Sequence, residues 1–142
     1  EGGYLQRDLE ERATALRVLV AGIVAESGAA TDALQARLLE RVAEIEEQIA
    51  VDPVLISQEV IRWAARSDIH EEVARLRGHL EHMRQLFDEP APCGRKLDFL
   101  IQEMNREVNT VGSKAEGRGM AEFVVAAKAE LEKLREQIQN VE

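Results

Sequence analysis

Cysteine is nearly missing from this 142-residue chain. Cys93 stands alone, which excludes a disulfide framework and a cysteine-built zinc site. Proline is confined to Pro53, Pro90 and Pro92, and the aromatics to Tyr4, Trp63, Phe87, Phe99 and Phe123. No uninterrupted apolar run comes near the ~20 residues of a membrane helix, and no basic-apolar leader marks a secretory signal. An intracellular, cytoplasmic protein without a membrane partner is the expectation. No alternating apolar–polar pattern is present, so strands are not expected. Neither GxxxxGK[ST] nor GxGxxG occurs, which removes the common nucleotide-triphosphate and dinucleotide loops.

What the chain does have is helix formers and acid. Ala, Leu, Glu, Arg and Gln dominate, and the formal net charge is −9. The acid is unevenly placed: residues 1–60 carry a net −7, residues 61–93 carry −1, residues 94–118 carry +1 and residues 119–142 carry −2. Such a chain does not coat nucleic acid over its whole surface, but its balanced middle can build a local site.

Helical periodicity sets the organisation. Leu5, Leu9, Leu16, Leu19 and Ile23 form one apolar period, and Leu34, Leu38, Val42, Ile45 and Ile49 a second. Gly28 lies between them, so residues 4–50 read as either a helical hairpin or one long arm. Asp52-Pro53 is a helix start, because Asp caps free N–H groups and Pro at the first position needs none. That helix ends near Ser67, and Asp68-x-x-Glu71 resembles a capping box for the next, over residues 68–87. Residues 88–94 form a connector, residues 95–110 a helix, residues 112–119 a glycine-punctuated loop, and residues 120–139 the last helix. The expectation is an all-α fold, with a long helical arm or hairpin (residues 1–50) as a possible oligomer contact. A compact bundle of about four helices (residues 51–142) follows it.

Two helix faces carry chemistry. At 100° per residue, Asp68, Glu72, Arg75 and His79 share an arc of roughly 60° beside the stripe Ile69, Val73, Leu76, Leu80, Met83 and Phe87. A histidine there can move protons near neutral pH or ligate a metal; a salt-bridge ladder along one helix is the plainer alternative. On the next helix Glu103 and Glu107 are four apart at the edge of Leu97, Leu100, Ile101, Met104, Val108 and Val111. Like charges at that spacing repel, so the pair either holds a cation, with Mg²⁺ or Mn²⁺ suited to oxygen ligands, or is relieved by Lys96 and Arg106. Asn105, Arg106, Asn109, Ser113 and Lys114 offer donors for phosphate. Ser113 has no base beside it and Cys93 no nearby histidine, so covalent catalysis is not expected.

The run GRKLDFLIQEMNREVNTVGSK over residues 94–114 strongly resembles the signature of the YicC/YloC family of bacterial endoribonucleases. DIHEEVARLRGH over residues 68–79 resembles its second motif, and ELEKLREQIQNVE over residues 130–142 its C-terminus. Gly78 stands where that family usually has Ser before the histidine, and over residues 1–50 only helical character carries across. The resemblance implies a metal-dependent RNA-cleaving protein that assembles into a homo-oligomer, a hexameric ring when full length. It also implies a strand-containing first half that precedes a chain starting at Glu1. The motif positions Asp68, Glu72, His79, Glu103 and Glu107 coincide with the two polar edges. The implied roles are Mn²⁺ or Mg²⁺ on Glu103, Glu107 and Glu72, and catalysis by His79, Glu72 and Asp68. RNA phosphates fall to Arg75, Arg106, Lys114, Asn105, Asn109 and Ser113. An oligomerisation or RNA-binding module with no catalysis of its own is the alternative.

Overall fold

The computed structural model describes residues 2–50, 52–89, 92–115 and 117–140. The two ends, Glu1 and Glu142, and Pro90 and Ala91 of the expected connector lie outside the described residues. Five helices follow one another: α1 (Gly2–Glu46), α2 (Pro53–Arg66), α3 (His70–Phe87), α4 (Gly94–Lys114) and α5 (Arg118–Gln139). Among the described residues there is no strand, so the all-α expectation is met.

α1 is one continuous helix, not a hairpin, and runs unbroken through Gly28. Its first half belongs to the bundle: Leu9, Ala13, Leu16, Val20 and Ile23 are buried against α3 and α5. Arg12 reaches Glu130 on α5 at 3.7 Å, and Arg17 reaches Glu81 on α3 at 3.6 Å. The first half of α1 thus packs with α3 and α5 rather than standing apart as an arm. A stretch of 18 residues in α1 has a mean hydropathy of 1.4, long and apolar enough for a membrane helix by length and composition. This qualifies the absence of long apolar runs, because only Arg and Glu interrupt that stretch. In the fold its Leu16, Val20 and Ile23 are core residues. The second half of α1 carries the period Leu34, Leu38 and Val42 only half-buried, and leaves Leu39 and Ile45 exposed.

α2 begins as its sequence dictates: the Asp52 carboxylate accepts from the Val54 N–H at 2.9 Å, with Pro53 at the first turn. It has no buried residue, and it meets the other helices only marginally. α3 starts at His70, one residue later than a capping box on Asp68 implies, with Ile69 in the cap position. Asp68 accepts from the His70 N–H at 2.9 Å and caps locally, leaving Glu71 outside any reciprocal box.

The core is built from α1, α3, α4 and α5. Leu76, Leu80, Met83, Leu97, Leu100, Ile101, Met104, Val108 and Val111 close the α3–α4 side, and Met120, Ala127, Leu131, Leu134 and Ile138 the α5 side. α4 is longer than expected: the Ala115 N–H donates to the Val111 carbonyl at 2.9 Å, so Gly112, Ser113 and Lys114 form its last turn rather than a loop. That extra turn carries Lys114 to the place where it works.

Candidate active site on the α3–α4 edge

α3 and α4 run antiparallel, as two cross-helix contacts establish. The Lys114 ammonium donates to Glu72 Oε1 at 2.6 Å, and Arg75 Nη1 lies 3.5 Å from Glu107 Oε1. Position rises along α3 as it falls along α4. One further turn on each helix therefore brings His79 level with Glu103. The edge reads, rung by rung, Glu72 with Lys114, Arg75 with Glu107, and His79 at the height of Glu103. Acid and base alternate between the two helices.

The acids of the first two rungs are buried, with Glu72 4% and Glu107 5% exposed. A buried carboxylate is costly unless paired and hydrogen-bonded. Burial alone raises the Glu72 pKa. The hydrogen bond from Lys114, the backbone, and the charges of Lys114 and Arg75 outweigh it, and the carboxyl ends below the usual glutamate range. Lys114 is raised in turn, chiefly by the Glu72 hydrogen bond. Glu72 Oε2 is buried with no hydrogen-bond partner among the described residues. Arg75 also binds Glu71, so its guanidinium spans a carboxylate on its own helix and one on α4.

The expected site residues divide. Glu72, Arg75, Glu107 and Lys114 come together, with His79 half-buried along the same edge. Glu103 is relieved by Arg106 at 3.5 Å, as the cation-free alternative for this pair has it, whereas Lys96 turns to Glu89 at 3.7 Å. Asp68 is exposed and occupied by His70, whose Nδ1 lies 2.6 Å away. The backbone N–H and ring of His70 hold the Asp68 carboxyl below its usual range. Asn105 lies two turns beyond Asp98, which pairs with Arg135 of α5 at 3.7 Å; Asn105, and Asn109 one turn further, thus follow the α5 side of α4. The Ser113 hydroxyl donates to the Thr110 carbonyl at 3.0 Å, and Ser113 is otherwise exposed. Cys93 donates to the Leu86 carbonyl, and burial pushes its thiol up, which suits packing rather than attack.

Among the described residues, no three His, Cys, Asp or Glu side chains gather closely enough to hold an ion. The physical reason is visible: Glu72, Glu107 and Glu103 are each held by a cation of the protein, Lys114, Arg75 and Arg106. Sequence reasoning missed the directness of these pairings because Lys114 lies in what reads as a loop.

A family profile described as the C-terminal part of YicC-like endoribonucleases matches residues 23–142. The chain is 38% identical over 143 aligned residues to a protein of Clostridioides difficile (strain 630) called probable endoribonuclease YicC. It is 34% identical over 142 residues to the protein of that name in Haemophilus influenzae (strain ATCC 51907 / DSM 11121 / KW20 / Rd). Each alignment covers 100% of this chain and 49% of the relative, so the chain spans about half the length of these curated relatives.

Proposed function

The chain belongs to the YicC-like endoribonuclease family, and on that premise we propose that it is the helical half of an enzyme that cleaves RNA phosphodiester bonds along the α3–α4 edge. The observation that carries the proposal is the alternating strip Glu72–Lys114 and Arg75–Glu107, with His79 one turn on. Lys114 and Arg75 are cations fixed by buried carboxylates, in place before RNA arrives. Fixed cations stabilise the charge that builds on a phosphoryl group during cleavage, and they need no rearrangement at that moment. The Arg75 fork suits two phosphate oxygens, and Lys114 acts as a point charge. His79 is the group that transfers a proton, since an imidazole does so near neutral pH. Glu72 and Glu107 are positioning residues in this reading, and Asp68 orients His70 at the mouth of the strip. Arg106 and Ser113 give further polar contacts along the strand, whereas Asn105 and Asn109, on the α5 side of α4, fall outside it.

Metal dependence on Mn²⁺ or Mg²⁺ belongs to the proposal in a restricted form. Glu72 and Glu107 supply carboxylates, but an ion would need donors beyond those this chain brings together. The remaining half of a longer protein or another subunit would supply them. Homo-oligomer formation, up to the hexameric ring, is supported by the exposed Leu39, Ile45, Val54, Leu55 and Ile61 on the second half of α1 and on α2. The same surface supports the second reading, an assembly or RNA-binding module that is inactive alone.

The test is cleavage of a labelled RNA by the full-length protein and by this chain, with and without chelator. Loss of cleavage in His79→Ala with RNA binding retained, and loss of cleavage together with weakened binding in Arg75→Ala and Lys114→Ala, is the expected result. Undiminished cleavage in all three refutes the assignment. RNA binding without cleavage by the full-length protein favours the second reading.

A further inference from the structure

A cavity of about 520 Å³ opens beside the strip, between the second half of α1, the end of α2 and the α4–α5 corner. This volume lies in the range of roughly 300–1,000 Å³ typical of small-molecule sites. Its walls carry Trp63, Arg37, Arg66, Ser67 and Lys114 around an apolar floor that includes Leu34. Trp63 is the only tryptophan of the chain. It sits on a helix with no buried residue and is itself half-exposed. An aromatic ring that lines an open cavity on a helix with no buried residue is not core; it is a flat face available for stacking.

The charge of the cavity favours an anion. Three cations line it against one carboxylate, Glu26, which is pressed against Gly119 at the start of α5, where the helix dipole offsets its charge. Arg37 makes no ion pair among the described residues, and Arg66 reaches only the exposed Glu59 at 3.6 Å. Lys114 joins the cavity to the strip, since the residue that binds Glu72 also forms part of the cavity wall.

We propose that this cavity is a subsite for one nucleotide of single-stranded RNA, its base stacked on Trp63 and its flanking phosphates on Arg37 and Arg66. Stacking on an aromatic face tolerates every base, so the subsite sets the register of the strand rather than its sequence. The inference deepens the RNA reading above and rests on it. The strand passes from Trp63 over Lys114 and onto the α3–α4 edge.

Because Trp63 is alone, its emission reports this cavity directly. The chain is titrated with a short 2′-O-methyl oligoadenylate while Trp63 fluorescence is followed. Affinity for the same oligomer, dye-labelled, is measured in parallel by anisotropy. Saturable quenching is expected at the affinity that anisotropy gives. Trp63→Ala should weaken binding about tenfold, and Trp63→Phe should restore most of it. The exposed pair Arg37→Glu/Arg66→Glu, which touches no core residue, should weaken binding further and flatten its salt dependence. Binding with unchanged Trp63 emission, and at full strength in the charge-reversed pair, overturns the subsite and leaves the RNA reading standing. No binding by anisotropy overturns both. Equal quenching by adenosine monophosphate at the same nucleotide concentration overturns the strand as occupant in favour of a free nucleotide.

Discussion

Lys114, the last residue of α4, donates to Glu72 Oε1 at 2.6 Å across 42 positions of sequence. The pair ties the C-terminal end of one helix to the first turn of another. It also makes a buried carboxylate and a partly exposed cation depend on each other.

That dependence has a pH signature. The folded pKa of Glu72 lies below its ordinary value of 4.5. Its contribution to stability is therefore complete above that value and lost as pH falls through the lowered one. In Lys114→Met the burial remains and the Lys114 hydrogen bond is gone, so the Glu72 carboxyl should rise from its lowered position, and the stability that its ionisation adds above the acid range should shrink, which flattens the acid limb of the stability curve. Carboxyl-carbon NMR titration and thermal melts across the acid range measure both. In Glu72→Gln/Lys114→Met the shift should disappear.

Catalytic loss should separate the cations from the acids that hold them. Lys114→Ala and Arg75→Ala should each slow RNA cleavage by the full-length protein about 100-fold. His79→Ala should slow it by a factor on the order of 100–10,000. Glu107→Gln keeps the shape of the side chain and loosens Arg75, so a smaller loss, about tenfold, is expected. Single-turnover rates at saturating enzyme give the comparison.

Metal uptake should depend on what surrounds the chain. With no three-donor group among its described residues, this chain alone should give no tight Mn²⁺ site by calorimetry. In the full-length protein, chelator should abolish cleavage, and Mn²⁺ should restore it. A micromolar site in the isolated chain that vanishes in Glu72→Gln would contradict the donor count.

The glycines of α1 should respond in opposite directions. A Cβ at Gly22 would collide with the Phe123 ring, whereas at Gly28 it would meet nothing within 4 Å. Gly28→Ala should stabilise by about 0.5–1 kcal/mol through helix propensity. Gly22→Ala gains the same propensity but overpacks, at a cost of about 1–3 kcal/mol, and should end net destabilised. Gly22→Ala/Phe123→Leu should recover most of that loss. Urea melts of the three variants settle the order.

The sequence made the core legible because burial repeats with the helix. Leu97, Leu100, Ile101, Met104, Val108 and Val111, all expected on one stripe, are all buried. The same wheel placed Glu72 and Arg75 on one edge and Glu107 on another. The meeting of those edges was not legible, because it rests on the register between two helices. Gly112 and Ser113 hid the last turn of α4, since Gly and Ser punctuate loops more often than they end a helix bonded through Ala115. The first half of α1 gave no sign that it joins the core while the second half leaves it, since both show the same apolar period. The Trp63 cavity needs three elements from distant positions, and no spacing rule reaches that far.

The length of α1 gives the cavity a mechanical character. Beyond Ile23, its last buried residue, the helix runs on to Glu46, and the stretch from Gly28 to Glu46 alone spans about 27 Å at 1.5 Å per residue. A bend of about 10° at Gly28 swings its tip by about 5 Å, and Arg37, halfway along, by about half as much. Bundle contacts anchor only the near end, so the wall opposite Trp63 is a cantilever whose spring is the backbone hydrogen-bond ladder itself. The gap between Arg37 and Trp63 is then set by elastic stiffness, and a residue at position 28 tunes it without touching the strand it grips.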